Sequence, residues 1–301
     1  MEAHSGKQRD NQWQDNRRKI DSWQNSGNSA DGDLQQPSRA RRVALSNGRK
    51  LVDDVIRYAA KAPMAAVWRD CDFLYLNKLR RRTRPRLNWN VLMMKAYGIV
   101  CSERPELRRV YVPFPRPHFY EHHENVCMIT MIREYRGEQR LFFARFASPE
   151  QLSLDQLQTQ YDYFRKAPVE EIKQFQHQIR FARLPWPVRR FAWWTIFNLW
   201  PAKRCSHIGT FGMSLSRYQG ATGNQHLGPL TSIIGVDPLP RNGMSRMLYT
   251  FDHRMVDGKP ATDIVEAWKE ALIRPVTKEV KKMLIRDGID PLVVLGKKIA
   301  A

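Results

Sequence analysis

The sequence predicts an α+β fold in which helices cover a mixed central sheet. Three observations carry that expectation. Helix-spaced and strand-like segments alternate along residues 49–146. Two strand-like runs, Val126–Arg133 and Leu141–Phe146, flank Arg136-Gly137-Glu138 and so read as a hairpin. Further on, the β-prone run Met247–Phe251 passes through one short corner into a helix with a single apolar face.

Taken in order, residues 1–44 are rich in Gln, Asn, Ser, Asp and Arg and hold almost no aliphatic side chains, so a disordered polar tail is expected there. The catalytic body is expected over residues 45–275. Leu51, Val55 and Ala59 give Arg49–Ala62 a helical spacing; Met64–Leu76 is strand-like and Val91–Cys101 helical again. Ser153–Gln178 reads as a long polar helix with a stripe at Leu154, Leu157, Tyr161 and Phe164, interrupted near Pro168. Residues 276–301 are expected to form an amphipathic tail. With 301 residues and 42% hydrophobic content, one large domain plus tails is the natural division.

The corner Asp252-His253-Arg254-Met255-Val256-Asp257-Gly258 is the most informative segment. Pro260 sits in the first turn of the helix that follows, and Ile264, Val265, Trp268, Ala271 and Leu272 form its apolar face. Gly258 allows a tight backbone at the bend. A neutral imidazole placed here accepts a proton from a thiol or hydroxyl near pH 7, provided a second hydrogen bond fixes its tautomer. A lone histidine on such a corner reads first as a satisfied structural residue.

The whole string decides the emphasis. DHRMVDG resembles the DHRxxDG signature of the dihydrolipoyl acyltransferases, the catalytic cores of 2-oxo-acid dehydrogenase complexes, whose fold is shared with chloramphenicol acetyltransferase. Gly209–Ser214, reading GTFGMS, is similar to that family's GTFTIS strand, and Leu227–Val236 resembles the segment that follows it. Asn90–Ala96 is similar to its NDFIIKA helix, and Arg104–Leu107 stands at the distance of its VPELN turn. The resemblance covers roughly residues 45–275, in order. It implies a chloramphenicol acetyltransferase-like sandwich and acyl transfer from a coenzyme A thioester without an acyl-enzyme. By the same resemblance His253 is the base, and Ser214 donates to the oxyanion. Asp257 is structural and pairs with an arginine of the first helix, either Arg49 or Arg57. Gly212 replaces a Thr of the family's strand and Leu215-Ser216-Arg217 replace its NLG, so Ser216 is an alternative donor if the strand bulges by two. The family's site lies between subunits, with histidine and serine from different chains, which implies a homotrimer.

The upstream lipoyl and subunit-binding domains of that family do not fit residues 1–44, so a chain without its own lipoyl group is expected. Pro185–Arg204 is an insertion relative to the family, crowded with Phe191, Trp193, Trp194, Phe197 and Trp200 between cations. Such a segment either packs as a core helix or subunit contact, or settles at the boundary of an anionic bilayer. Fifty Lys and Arg against thirty Asp and Glu give a net charge of +20, and Lys78, Arg80, Arg81, Arg82, Arg84 and Arg86 form a run expected to be a solvated loop. The run lacks aromatic interleaving and any nucleic-acid motif, so nucleic acid is not the expected partner.

His118, Glu121, His122, His123 and Glu124 follow three prolines with no remote fourth ligand evident, so no metal is expected. Ser216, Asn224 and His226 are candidate pocket residues. Four cysteines without a C-x-x-C pair and no signal-like opening lead to the expectation of reduced thiols and a cytoplasmic protein. Two other readings stay open: a catalytically degenerate scaffold homologue, and a basic protein that binds membrane surfaces.

Overall fold

Six strands form one mixed sheet in the order β1-β10-β9-β6-β4-β5. The computed structural model describes residues 42, 44–215, 217–218, 221–222, 227–236 and 243–293. These strands are β1 (Met64–Asp72), β4 (Val126–Tyr135), β5 (Glu138–Ala147), β6 (Phe211–Leu215), β9 (Ser232–Val236) and β10 (Met244–Asp252). Two short ribbons stand apart from it: β2 (Arg109–Val112) with β3 (His118–Glu121), and β7 (Arg217–Tyr218) with β8 (Ala221–Thr222). β6 runs parallel to both β4 and β9, whereas β1, β10, β9 and the β4/β5 hairpin pair antiparallel. The expected α+β class, a mixed sheet with helices packed on it, is the one observed.

The hairpin shows how locally the chain is specified. Tyr135 pairs with Glu138, leaving a two-residue turn in which Arg136 and Gly137 both take positive φ, 53° and 73°. That mirror-image turn matches the natural twist of the strands it joins, and glycine takes its second position at little cost.

Period-two alternation then sorts the sheet into two faces. On one face Ile129, Phe142, Ala144, Phe211, Met213, Ile234, Tyr249 and Phe251 enter the main core. Over it lie α3 (Trp89–Glu103), α4 (Leu154–Lys166), α8 (Gly258–Ala271) and α9 (Thr277–Arg286). α3 is buried almost all round, as its nearly unbroken apolar sequence requires. The fully buried Trp268 of α8 packs edge-on to Tyr97 and donates its ring N–H to the Met93 carbonyl at 3.4 Å. On the other face Met128, Leu230 and Ile233 meet Leu51 of α1 (Asn47–Ala59), Ala182 of α5 (Lys173–Ala182), Trp193 and Phe197 of α6 (Trp186–Asn198), and Ile208 of α7 (Pro201–Ile208).

Three expectations need correction. The strand beginning at Met64 ends at Asp72, whose carboxylate accepts the Leu74 N–H at 2.7 Å, and Leu74–Arg80 then form a helix, α2. The basic run therefore starts inside a helix. Arg80 donates to the Leu87 carbonyl at 2.7 Å and lies over the Trp89 ring, and burial pushes its guanidinium down to about 10. Finally, the segment after residue 275 is no separate tail, because Val280, Met283 and Leu284 of α9 are buried in the main core. The polar tail expected over residues 1–44 lies outside the described residues apart from Arg42 and Ala44. No helix among the described residues is long and apolar enough to cross a membrane.

Candidate active site

The His253 corner is held by its neighbours' backbone and by one carboxylate. The Asp252 N–H donates to the Thr231 carbonyl at 2.9 Å, and the His253 N–H to the Pro63 carbonyl at 2.9 Å. Buried Asp252 accepts the Arg254 backbone N–H at 3.0 Å, together with its Nε at 2.9 Å and Nη2 at 2.6 Å. Arg254 in turn lies 4.2 Å from the Tyr111 ring centroid. A charge-assisted, forked contact of this kind fixes the bend far more tightly than a neutral bond would. The turn thus has a hydrogen-bonded backbone and an exposed imidazole. His253 is 52% exposed, and its Nδ1 lies 3.4 Å from Oδ1 of Asp257, one residue before α8 begins.

Asp257 does not fill the role expected of it. It is 83% exposed, and among the described residues no ion pair joins it to Arg49 or Arg57. α1, which carries both arginines, is instead tied by Asp53 and Asp54 to Arg190 and Arg189 of α6. Asp257 is thereby left to face the histidine. Gly258 is also less constrained than expected: a Cβ there meets nothing within 4 Å, because the residue opens an ordinary helix.

Ser214 lies on β6 opposite Gly235 of β9, which lies opposite Leu248 of β10. His253 is two strands across and five residues further along, a separation of roughly 20 Å at ordinary sheet spacings. A base and an oxyanion donor that serve one carbonyl must both stand about 3 Å from the reacting atoms. Within one chain these two residues cannot do so. At Gly212, the departure from the family strand, a Cβ would fall 2.7 Å from Leu230 Cδ1, the movable end of a side chain. The alternative donor Ser216, and Asn224 and His226, lie outside the described residues.

His122, His123 and Glu124 bring one ligand atom each to within 4.8 Å of one another. Donors around a tetrahedral zinc ion sit closer, roughly 3.5 Å apart.

No model of a protein family matches this sequence, and no curated protein does. Solved structures match it well. The dihydrolipoamide acetyltransferase of Azotobacter vinelandii is 15% identical and aligns over 85% of this chain and 98% of its own, with a TM-score of 0.59. The cubic core of a pyruvate dehydrogenase multienzyme complex is 14% identical over 85% and 98%, with a TM-score of 0.55. A truncated catalytic core of the 2-oxoacid dehydrogenase multienzyme complex from Thermoplasma acidophilum is 12% identical over 78% and 99%, at 0.54.

The fold is that of the dihydrolipoamide acetyltransferase core. At these identities the likeness is one of fold, and it spans nearly the whole of each core. Sequence reasoning reached this acetyltransferase-core fold through DHRMVDG but missed two features around that motif. One is the Asp252–Arg254 clamp, signalled only by an aspartate two residues before an arginine at a bend. The other is the ion-pair network that joins α1 to the Trp-rich helix.

Proposed function

We propose that the protein transfers an acyl group from a coenzyme A thioester to a thiol, hydroxyl or amine acceptor, with His253 as general base. The observation that carries this is the bare imidazole on a clamped corner, with a carboxylate beside Nδ1 that leaves Nε2 to meet substrate. The Azotobacter vinelandii enzyme gives support, since a serine, a histidine and an asparagine four residues past the histidine have been investigated for roles in its catalytic mechanism. His253 and Asp257 have the same spacing.

In the reaction Nε2 takes the acceptor's proton as the nucleophile attacks the thioester carbonyl. The tetrahedral oxyanion receives a hydrogen bond from the Ser214 hydroxyl. Collapse breaks the carbon–sulfur bond, and the imidazolium returns its proton to the departing thiolate. In keeping with the separation of the two residues along one chain's sheet, the proposed site takes His253 from one subunit and Ser214 from another. A homotrimer is the closed assembly proposed for it. The +20 charge favours arrival of the coenzyme's phosphates.

Release of coenzyme A from a panel of acyl thioesters tests this reading. The native chain is expected to exceed His253→Ala by about 10²- to 10⁴-fold. Equal rates would leave a scaffold without chemistry.

A second property rests on the Trp-rich insertion. Arg189, Trp193 and Phe197 face inward at four-residue spacing, while Trp186 (63% exposed), Phe191 (68% exposed), Trp194 and Trp200 face outward. Arg190 lies by the Trp186 ring and Lys203 by the Trp200 ring. One stripe packs, and the other has the aromatic-plus-cation character that favours an anionic bilayer surface. Vesicles with anionic headgroups should sediment the native protein, but not a variant with Trp186, Phe191 and Trp194 changed to Ser. Native protein that stays in the supernatant would remove the membrane contact.

A further inference from the structure

A cavity of about 320 Å³ lies between α1, α5, α6, α7 and the β4/β5 end of the sheet. Its wall is apolar, with Val55, Met128, Phe143, Phe181, Trp193 and Ile196 among the lining residues. The two glutamines in the lining leave that character intact, because their amides are committed to the backbone of β5. Gln178 accepts from the Phe143 N–H at 3.0 Å and donates to its carbonyl at 2.7 Å, and Gln174 accepts from the Arg145 N–H at 3.0 Å. What remains polar is cationic or able to become so: Arg145, half-buried, and His177 and His207, both exposed.

Among the described residues no ion pair forms to Arg145, His177 or His207 within 4.0 Å, and the Arg145 side chain donates only to the Ser206 backbone carbonyl. Burial holds the Arg145 guanidinium below its ordinary pKa, and burial with the Arg145 charge does the same to His207. An apolar chamber with an uncompensated guanidinium and two imidazoles gains from a ligand with a hydrocarbon body and an anionic end, since the anion supplies the missing counter-charge. The volume is at the small end for ligand sites, which suits a single chain and not a coenzyme.

The cavity lies apart from the His253 corner, while its lining residue Met128 is opposite Gly212 of β6, two residues before Ser214. Its floor residue Met128 is aligned through Gly212 and Ile233 with Thr250, three strand spacings or roughly 15 Å away from β10.

We infer that this cavity binds an aliphatic chain that ends in a carboxylate, of the fatty-acid type, with the chain against Trp193 and Ile196 and the carboxylate at Arg145, His177 and His207. The site does not depend on acyl transfer at His253, and its test reads binding alone.

Calorimetry with the full chain and dodecanoate, below the concentration at which the acid forms micelles, is expected to show saturable one-to-one binding. Dodecanol, of equal length and no charge, should bind at least about tenfold more weakly. In Arg145→Gln, and in the surface double variant His177→Ala/His207→Ala, dodecanoate should lose about tenfold while dodecanol holds its affinity. Filling the chamber with Val55→Phe, or with Ile196→Phe should the first not fold, should abolish binding of both while the thermal transition is retained. Equal affinity for acid and alcohol, undiminished binding to the filled chamber, or no saturable binding to native protein would each overturn the assignment.

Discussion

The two ends of the six-stranded sheet are finished in opposite ways. At the β5 end, α5 closes the edge by pairing glutamine amides with strand backbone, which blocks further strand addition. Behind that edge a fully buried ion pair joins α1 to α6: Arg189 Nε donates to Asp54, which also accepts the Trp193 ring N–H at 3.1 Å. At the β1/β10 end, Trp68 is 60% exposed, and the His253 corner shows half its histidine and most of Asp257. One end is closed within the chain, and the other leaves its polar side chains open. In the proposed reaction the first end serves stability and the second holds one half of a two-chain site.

The sharpest way to break that contrast is to separate the two halves of the site. His253→Ala and Ser214→Ala should each lower acyl transfer, by about 10²- to 10⁴-fold and 10²- to 10³-fold respectively. Because the residues stand roughly 20 Å apart in one chain, refolding the two variants together should restore activity. With random mixing about a quarter of the interfaces then hold both intact residues. No recovery on mixing would place the two residues outside a shared centre.

The closed end should respond in stability. Arg189→Ala leaves the Asp54 carboxylate buried with its closest partner gone, and loss of one member of such a pair costs about 3–5 kcal/mol. Denaturant midpoints would measure it. The double change Asp54→Leu/Arg189→Leu removes both charges and should recover much of the loss. If Arg189→Ala is as stable as the native chain, the α1–α6 contact is not what holds this end together.

Much of this contrast was legible in the sequence, though unevenly. The hairpin followed from Arg136-Gly137 between alternating strands, and the corner from a strand, a histidine and a helix read in that order. Those are local signals, written within about ten residues. The resemblance implied that His253 and Ser214 act from different chains, but their separation within one chain was not legible, because it depends on strand register across β6, β9 and β10. The Asp54–Arg189 pair was hidden for the same reason: the partners are distant in sequence, and an acid at helical spacing reads as surface. The helix Leu74–Arg80 was missed because Leu74 and Leu76 prolong the apolar run past Asp72, the residue at which the strand ends.

The smallest effect concerns histidines, and it sharpens the difference between an exposed imidazole and a buried one. His253 is exposed, whereas His122 is buried and its Nε2 has no hydrogen-bond partner among the described residues. Burial, then the nearby His123, hold the His122 pKa below its ordinary value. The unfolded chain takes up this proton as pH falls through about 6.5 while the folded chain still refuses it. Stability should therefore decline from pH 7 towards pH 5, and this histidine accounts for at most about 1.4 kcal/mol per pH unit of the slope. His122→Phe keeps a ring in place without a proton to gain, so its slope of unfolding free energy against pH should be shallower than the native one. Its stability at pH 7.5 should be equal or slightly higher, since an unmet buried nitrogen is removed. Parallel slopes for the two proteins would show that His122 takes up its proton as readily in the folded chain as in the unfolded one.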